Sequence, residues 1–432
     1  MTTGEPLPCD GTLVRLMRCG LLRNSLHASG WEVDWFTSNF SHFEKTRRFR
    51  GNGIWRDEKG PIHLLSGCGY PNNFSLSRFI DHRRVASAFS RLALTMRSPE
   101  VVHCSMPTVE LAAACAAFCR PRGIPLVLDI RDLWPDVFAQ ALPPRLRSIG
   151  QLAIFPYDHM LKKALLHADA LWAVSQSYLD WGLAKIGRSA RPADRVHFLG
   201  YPRPNLLAAD RDRGRASLGL SKGDDTLVAW FIGSWGQSYD LRLIVETARH
   251  LSRTADRILF VVSGDGEQGA EIRQAAAGLN NIRFTGWVDR TEIASLMAAA
   301  DLGLAAYIQG AVQGLTNKVI EYLAGGLPVI STLAGECMEF LASNALGWSV
   351  PAGKPADMAS LLCDLAQDRA KLASHARKCR AFFDSHLDAE VVYPRMVSDL
   401  GALAETGNAN RKHSRRTLEY SCNNPPAKLI VT

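Results

Sequence analysis

Residues 313–332, Gln-Gly-Leu-Thr-Asn-Lys-Val-Ile-Glu-Tyr-Leu-Ala-Gly-Gly-Leu-Pro-Val-Ile-Ser-Thr, read as a polar loop, a short helix closed by a glycine pair, and a buried strand. A loop that feeds a helix N-terminus presents unpaired backbone N–H groups and the positive end of the helix dipole, and both suit a diphosphate. Lys318 adds a full charge, and the carboxylate of Glu321, one turn further in, is an acceptor for ribose hydroxyls. Taken alone, the same residues also describe the loop, helix and strand of any α/β domain.

The flanking sequence narrows the reading. Ile258 to Gly266 is an apolar strand ending in a glycine turn, followed by a polar helix from about Gln268 to Leu279. Asn281 to Val288 is a second short strand and turn, Arg290 to Ala300 an amphipathic helix, and Leu302 to Tyr307 another strand. Alternating strands and helices predict a parallel sheet covered on both faces, with ligands at the carboxyl ends of the strands. Gly264, Trp287, Gln313 and Thr316 all fall at such ends.

With these residues in view, the chain resembles the retaining glycosyltransferases of family 4. The resemblance rests on Ser263-Gly264-Asp265-Gly266-Glu267, Phe284-Thr285-Gly286-Trp287-Val288, Ala300-Asp301 and the run Asn317 to Ile330, in matching order and spacing. Asp129-Ile130-Arg131-Asp132-Leu133-Trp134-Pro135 is similar to a segment of one branch, whose members include aminosugar transferases of bacterial O-antigen and capsule synthesis. The resemblance covers roughly residues 10 to 400. It implies an α/β architecture of two Rossmann-like domains facing a cleft, the GT-B fold, with the acceptor on the first domain and a nucleotide-sugar on the second.

Residue by residue, it implies Trp287 and Val288 near the base, Glu321 on the ribose, and Gly233, Ser234, Gly264, Leu315, Thr316, Asn317 and Lys318 around the diphosphate. It places Arg131, Asp132 and Asp129 at the reaction site, with Gln313 where many members carry the first of two carboxylates. A glutamine can hydrogen-bond a sugar hydroxyl but cannot stabilise an oxocarbenium ion by charge. A second departure follows the turn Gly233-Ser234-Trp235-Gly236: the arginine and lysine common there are replaced by Gln237-Ser238-Tyr239-Asp240, leaving Lys318 and backbone amides to meet the diphosphate. No metal and no organic cofactor is expected; the nucleotide-sugar, with uridine diphosphate first in line, is a substrate.

The N-terminal half reads in the same terms. A helical pattern (Leu13, Leu16, Met17, Leu21, Leu22, Leu26) runs from Gly11 to Gly30, then a strand over Trp31 to Phe36. No apolar strand precedes that helix, because Met1 to Asp10 is polar and proline-bearing, so the first strand of the domain is expected to be missing. Val101 to Pro107 is a strand, Val109 to Cys119 a buried helix, and Ile124 to Ile130 a strand that empties into Asp129, Arg131 and Asp132. Charges crowded at a strand end are costly to bury, so they face a cleft or one another: acceptor-site wall and structural ion-pair network both fit. His103 is read chiefly as a satisfied polar group. Residues 140–168 place Arg145, Arg147, Lys162 and Lys163 among apolar positions at helical spacing, which suits either an anionic membrane surface or packing on its own domain.

The expected domains are 1–200, 201–388, a helix over 389–405 returning to the first domain, and a disordered tail over 406–432. A chain of 432 residues with 47% hydrophobic and 21% charged residues suits two globular domains. Ten cysteines without a CxxC pair or regular framework read as reduced thiols, and Cys115 and Cys119 as core packing rather than metal ligands. No uninterrupted apolar run reaches the ~18 residues of a spanning helix. The expected location is the cytoplasm, with the inner face of the plasma membrane as a candidate peripheral site. The net charge of +8 asks for an anionic partner; without a zinc finger, an aromatic RNA-binding signature or a basic helix pattern, nucleic acid ranks below nucleotide-sugars and anionic lipid. The expected partners are a nucleotide-sugar and a saccharide or polyprenyl-linked acceptor in cell-surface polysaccharide synthesis. The transferred group is a hexosyl or N-acetylaminosugar. Two alternatives stay open: a nucleotide-sugar epimerase of the same fold, and a non-catalytic sugar-binding or scaffold protein.

Overall fold

The structure is a computed structural model that describes every residue except 12–13, 73–74, 141, 207, 254–256, 312 and 424–432, and leaves out the side chains of 144, 208–209 and 410–423. Its contacts divide the chain into two compact units, Met1–His197 with Tyr393–Thr432, and Phe198–Val392.

In the first unit the order is α1 (Arg18–Ala28), β1 (Trp35–Ser38), β2 (Phe40–Ser41), β3 (Thr46–Arg47), β4 (Gly53–Asp57), β5 (Gly60–Leu65), α2 (Leu76–Ala93), β6 (Val102–Met106), α3 (Val109–Cys119), β7 (Leu126–Ile130), α4 (Asp136–Gln140), α5 (Arg147–Leu166), β8 (Ala170–Ala173), α6 (Gln176–Ile186) and β9 (Arg195–Val196). Strands β6, β7, β8 and β9 form one parallel sheet. Every residue of β7 is buried, as expected of a strand covered on both faces. Leu126, Leu128 and Ile130 point into the main core with Val109, Ala112, Cys115 and Cys119 of α3, so these cysteines are packing residues.

A second sheet, ordered β1-β5-β4, lies alongside. Between β1 and β6 the first two residues make the connection: the Met1 ammonium donates to the His103 carbonyl, Ser105 N–H to the Met1 carbonyl (2.8 Å) and Thr2 N–H to the Phe36 carbonyl (3.1 Å). No strand is assigned before α1 among the described residues. A cavity of about 180 Å³, lined by Met1, Trp35, Phe36, Val102 and Phe118 among others, sits beside this connection. Two boundaries differ from the sequence expectation. The helix begins at Arg18 rather than near Leu13, which lies outside the described residues, and β1 begins at Trp35 rather than Trp31. The polar, glycine-broken segment before Trp35 makes no ladder.

The second unit runs α7 (Ala208–Ser217), β10 (Leu227–Ile232), α8 (Leu241–Leu251), β11 (Ile258–Ser263), α9 (Gly269–Ala275), β12 (Ile282–Gly286), α10 (Arg290–Ala299), β13 (Leu302–Ala305), α11 (Asn317–Ala324), β14 (Val329–Ser331), α12 (Glu336–Ser343), β15 (Gly347–Ser349), α13 (Pro355–Gln367) and α14 (Arg369–Phe382). Its six strands are parallel, in the order β12-β11-β10-β13-β14-β15. This is the doubly wound order in which the direction of winding reverses between the first and fourth strands, β10 and β13. Period-2 alternation builds a core on each face: Val228 and Trp230 join Leu259 and Val261 in one cluster, and Leu227, Ala229 and Phe231 join Phe260 and Val262 in the other. Asp289 and Glu292 form a capping box on α10, and Asp240 caps α8 through Leu243 N–H at 3.0 Å.

The last helix, α15 (Ala389–Asn423), is longer than the expected 389–405. Residues 406–423 are therefore helical instead of an aperiodic tail, and 424–432 lie outside the described residues. From Tyr393 onward it groups with the first unit, where Asp399 lies 3.2 Å from His197 Nε2.

Candidate functional site

At the reversal point of the second unit, β10 ends in Gly233 and β11 in Gly264, both with left-handed φ (+152° and +109°). Bulk is excluded at each. A Cβ on Gly264 would lie 2.0 Å from the Gly233 carbonyl oxygen, and one on Gly233 would lie 2.7 Å from Lys318 Nζ. Gly233 N–H donates to Ser263 O (3.2 Å) and Gly264 N–H to Gly286 O (2.6 Å), so the turns after β10, β11 and β12 form one rim. Ser234 is exposed on this rim, as is Trp287, which is 69% exposed. Val288 packs against the core, so only its neighbour projects outward.

Helix α11 is fixed against the rim through its own side chains. The Tyr322 hydroxyl accepts Ile232 N–H and donates to Leu304 O, both at 3.1 Å. Its ring occupies the space beside Gly303, where a Cβ would come within 2.3 Å. Lys318, 6% exposed, donates to the Ile232 carbonyl and sits over the rings of Phe231 (3.9 Å) and Tyr239 (4.6 Å). Burial brings its pKa down to about 7 against the opposing pull of Glu321. The departure from the common family pattern at 237–240 thus has a physical outcome. Tyr239 becomes a wall of the lysine's box and Asp240 a helix cap, so neither supplies positive charge.

Thr316 is the N-cap of α11, with extended backbone and no side-chain cap bond, which leaves the first-turn N–H groups open to a ligand. Leu315 is buried and Asn317 exposed. The Gln313 side-chain oxygen is shielded from solvent without a hydrogen-bond partner among the described residues. The structure therefore brings Gly233, Gly264, Trp287, Thr316 and Lys318 of the sequence reading to one end of one sheet. The aromatic box of Phe231 and Tyr239 was not anticipated. Its only trace in the sequence is an aromatic on either side of the glycine turn.

The first-unit residues fare differently. Arg18, which sequence reasoning did not single out, is fully buried and grips Asp129 with two bonds, Nε–Oδ2 at 2.7 Å and NH2–Oδ1 at 2.9 Å. His103 Nε2 lies 3.3 Å from the same Oδ2. Burial pushes the Asp129 carboxyl upward, but Arg18 and His103 outweigh it and hold the group well below the usual carboxylate range. Asp129 has no exposed surface in the first unit, where it belongs to this buried ion-pair network. Arg131 pairs with Glu5, whose other oxygen accepts Cys19 N–H at 3.0 Å, and stays partly exposed. Asp132 is part-exposed; burial raises its pKa despite the Leu133 N–H bond (2.8 Å). Trp134 is 3% exposed, with the Arg78 guanidinium 4.6 Å over its ring. Among the described residues no cluster of three or more His, Cys, Asp or Glu side chains could hold a metal.

This architecture has recognisable relatives. Residues 17–202 match the family described as glycosyl transferase 4-like domain, and residues 226–368 match glycosyl transferases group 1. Anabaena HepE in complex with UDP superposes with a TM-score of 0.65 at 17% identity, over 93% of this chain and 98% of that one. Sucrose-phosphate synthase of Thermosynechococcus elongatus gives 0.67 at 18% identity, over 91% and 93%. The fold is therefore GT-B. The match to the 4-like domain falls largely on the first unit and the match to the group 1 domain on the second.

Among curated relatives, the amylovoran biosynthesis glycosyltransferase AmsK of Erwinia amylovora is 24% identical over 170 residues, 38% of this chain and 42% of that protein. The alpha-D-kanosaminyltransferase of Streptomyces kanamyceticus is 25% identical over 265 residues, 59% and 65% respectively. The matched region thus spans less than two thirds of either relative's length.

Proposed function

We propose that the protein transfers a sugar from a uridine diphosphate donor to a saccharide or lipid-linked acceptor with retention of anomeric configuration, in cell-surface polysaccharide synthesis. The observation that carries this reading is the rim of the second unit: two glycine turns, an uncapped helix N-terminus and a buried lysine converge where the sheet reverses. In this reading the diphosphate lies on the open amides of the first turn of α11, beside the Gly233 turn, whose lack of a side chain lets it approach. Lys318 leaves the Ile232 carbonyl for a phosphate oxygen, Glu321 accepts from the ribose, and Trp287 flanks the base. Gln313 gives its unpaired oxygen to a sugar hydroxyl.

Retention needs no protein nucleophile. The leaving phosphate oxygen takes the acceptor proton while the new glycosidic bond forms on the same face, so the protein contributes positioning and charge stabilisation. Asp132 and Arg131 are candidates for the acceptor side, with Asp129 buried behind them in its pair with Arg18. The HepE complex with UDP and the polysaccharide and aminosugar roles in the relatives' names favour this donor and acceptor class.

Calorimetric titration with uridine, guanosine and adenosine diphosphates tests the donor. Selective binding of UDP is expected, and no binding by folded protein overturns the reading. Proton NMR of the anomeric centre in the product then separates retention from inversion, and turnover of donor without any acceptor would indicate an epimerase instead.

A further inference from the structure

Helix α5 uses only part of its surface inside the protein. Leu161, Ala164 and Leu165 are buried, whereas Ile149 (65%), Leu152 (76%), Phe155 (62%) and Leu166 (59%) are exposed. Neighbouring α2 shows the same division: Val85, Ala86, Ala88 and Phe89 are buried, and Leu76 (82%) and Ile80 (50%) are exposed. The two helices touch, since the ring of Phe79 on α2 lies 5.1 Å from that of Tyr157 on α5. Exposed cations flank the apolar side chains. Arg83, Arg84 and Arg91 line an open groove with Ile80 on α2, and Arg145, Arg147 and Lys163 stand on or beside α5. None of these six groups forms a salt bridge with a described residue.

We infer that the outer faces of α2 and α5 are a docking surface for an anionic phospholipid bilayer. Large apolar side chains exposed beyond half their area on two adjacent helices are uncommon on a soluble surface. A second protein would explain the apolar groups; the surrounding exposed arginines, none in a salt bridge among the described residues, and the chain's net charge of +8 select negatively charged headgroups. The cations would meet the headgroups while Leu152, Phe155, Leu76 and Ile80 enter the interface below them. No helix among the described residues is long and apolar enough to cross a membrane, so this would be surface attachment. The inference rests on the lipid-linked acceptor reading only for its purpose, and its test needs no turnover.

The test is co-sedimentation of the full chain with vesicles of phosphatidylcholine, alone and with phosphatidylglycerol added. Binding is expected only to the anionic vesicles, weakening at high salt. Replacing Arg83, Arg84 and Arg91 together by Ala should lower the partition by about a hundredfold at low salt, from roughly fivefold per cation. Leu152→Asp with Phe155→Asp should reduce it to the neutral-vesicle level. Melting temperature and UDP affinity, compared with wild type, verify that these exposed substitutions leave the fold intact. Equal binding to both vesicle types, or unaltered binding by both variants, overturns the inference. So does a change in self-association on sedimentation velocity without a change in vesicle binding, which would make this face an interface between copies.

Discussion

Lys318 rests its ammonium on the carbonyl of Ile232, between the rings of Phe231 and Tyr239, at the point where the sheet of the second unit reverses. A cation so placed has two partners to choose between, the strand-end carbonyl and an incoming phosphate. Its pKa, brought to about 7 by burial, means that a phosphate would draw in a proton as it binds.

Proton uptake is therefore expected when UDP binds near or above pH 7. Calorimetry in buffers of different ionisation enthalpy measures it directly. Lys318→Met should abolish the uptake and weaken UDP by about 1.5–3 kcal/mol, the usual worth of a hydrogen bond to a charged group. A variant with unchanged affinity would remove Lys318 from the donor site.

The same lysine shapes stability without ligand. Its folded pKa lies below the ordinary lysine value of 10.5, so between these values the unfolded chain binds the extra proton and the folded one does not. Stability should rise with pH over that window, and the penalty is fully present below about pH 7. Thermal melts of Lys318→Met across this range should show a shallower rise than wild type.

Tyr322→Phe removes the hydroxyl that satisfies Ile232 N–H and reaches Leu304 O. Leaving that amide unpaired should cost about 1–3 kcal/mol in urea denaturation. UDP affinity should fall as well, because α11 loses its tie to the end of β10. Loss of stability with intact affinity would show that the helix is held by packing alone.

Arg18→Leu strands the Asp129 carboxylate in the core and should cost about 3–5 kcal/mol. Adding Asp129→Leu should recover most of it. In wild type the depressed Asp129 pKa contributes stability above the unfolded value near 3.8, lost as pH falls through the folded value. Asp129→Asn should therefore flatten the acid limb of the stability curve, and an activity loss in folded protein would support its reaction-site role.

Glu321→Ala should weaken UDP more than uracil-bearing ligands that lack the ribose hydroxyls. The expected loss is about 1–3 kcal/mol by calorimetry, and equal losses for both ligands would place Glu321 elsewhere.

What the sequence determined by itself is the alternation of elements and the chemistry of the second unit's rim. Leu227 to Ile232 and Ile258 to Ser263 are strands because unbroken apolar runs bury on both faces, and Gly233 and Gly264 mark their ends because no side chain fits there. The loop and helix from Gln313 to Ala324 carried their diphosphate character in local residue types, and local signals are what a sequence displays. The tertiary structure alone decided which charges face inward. Asp129, Arg131 and Asp132 look equivalent along the chain, yet Asp129 meets Arg18 from 111 residues away and Arg131 meets Glu5 from 126, while Asp132 accepts the N–H of its own neighbour Leu133. The same holds for the Phe231 and Tyr239 box and for the outward faces of α2 and α5. A helix shows in sequence that it is amphipathic, but which stripe finds a partner depends on elements distant in the chain.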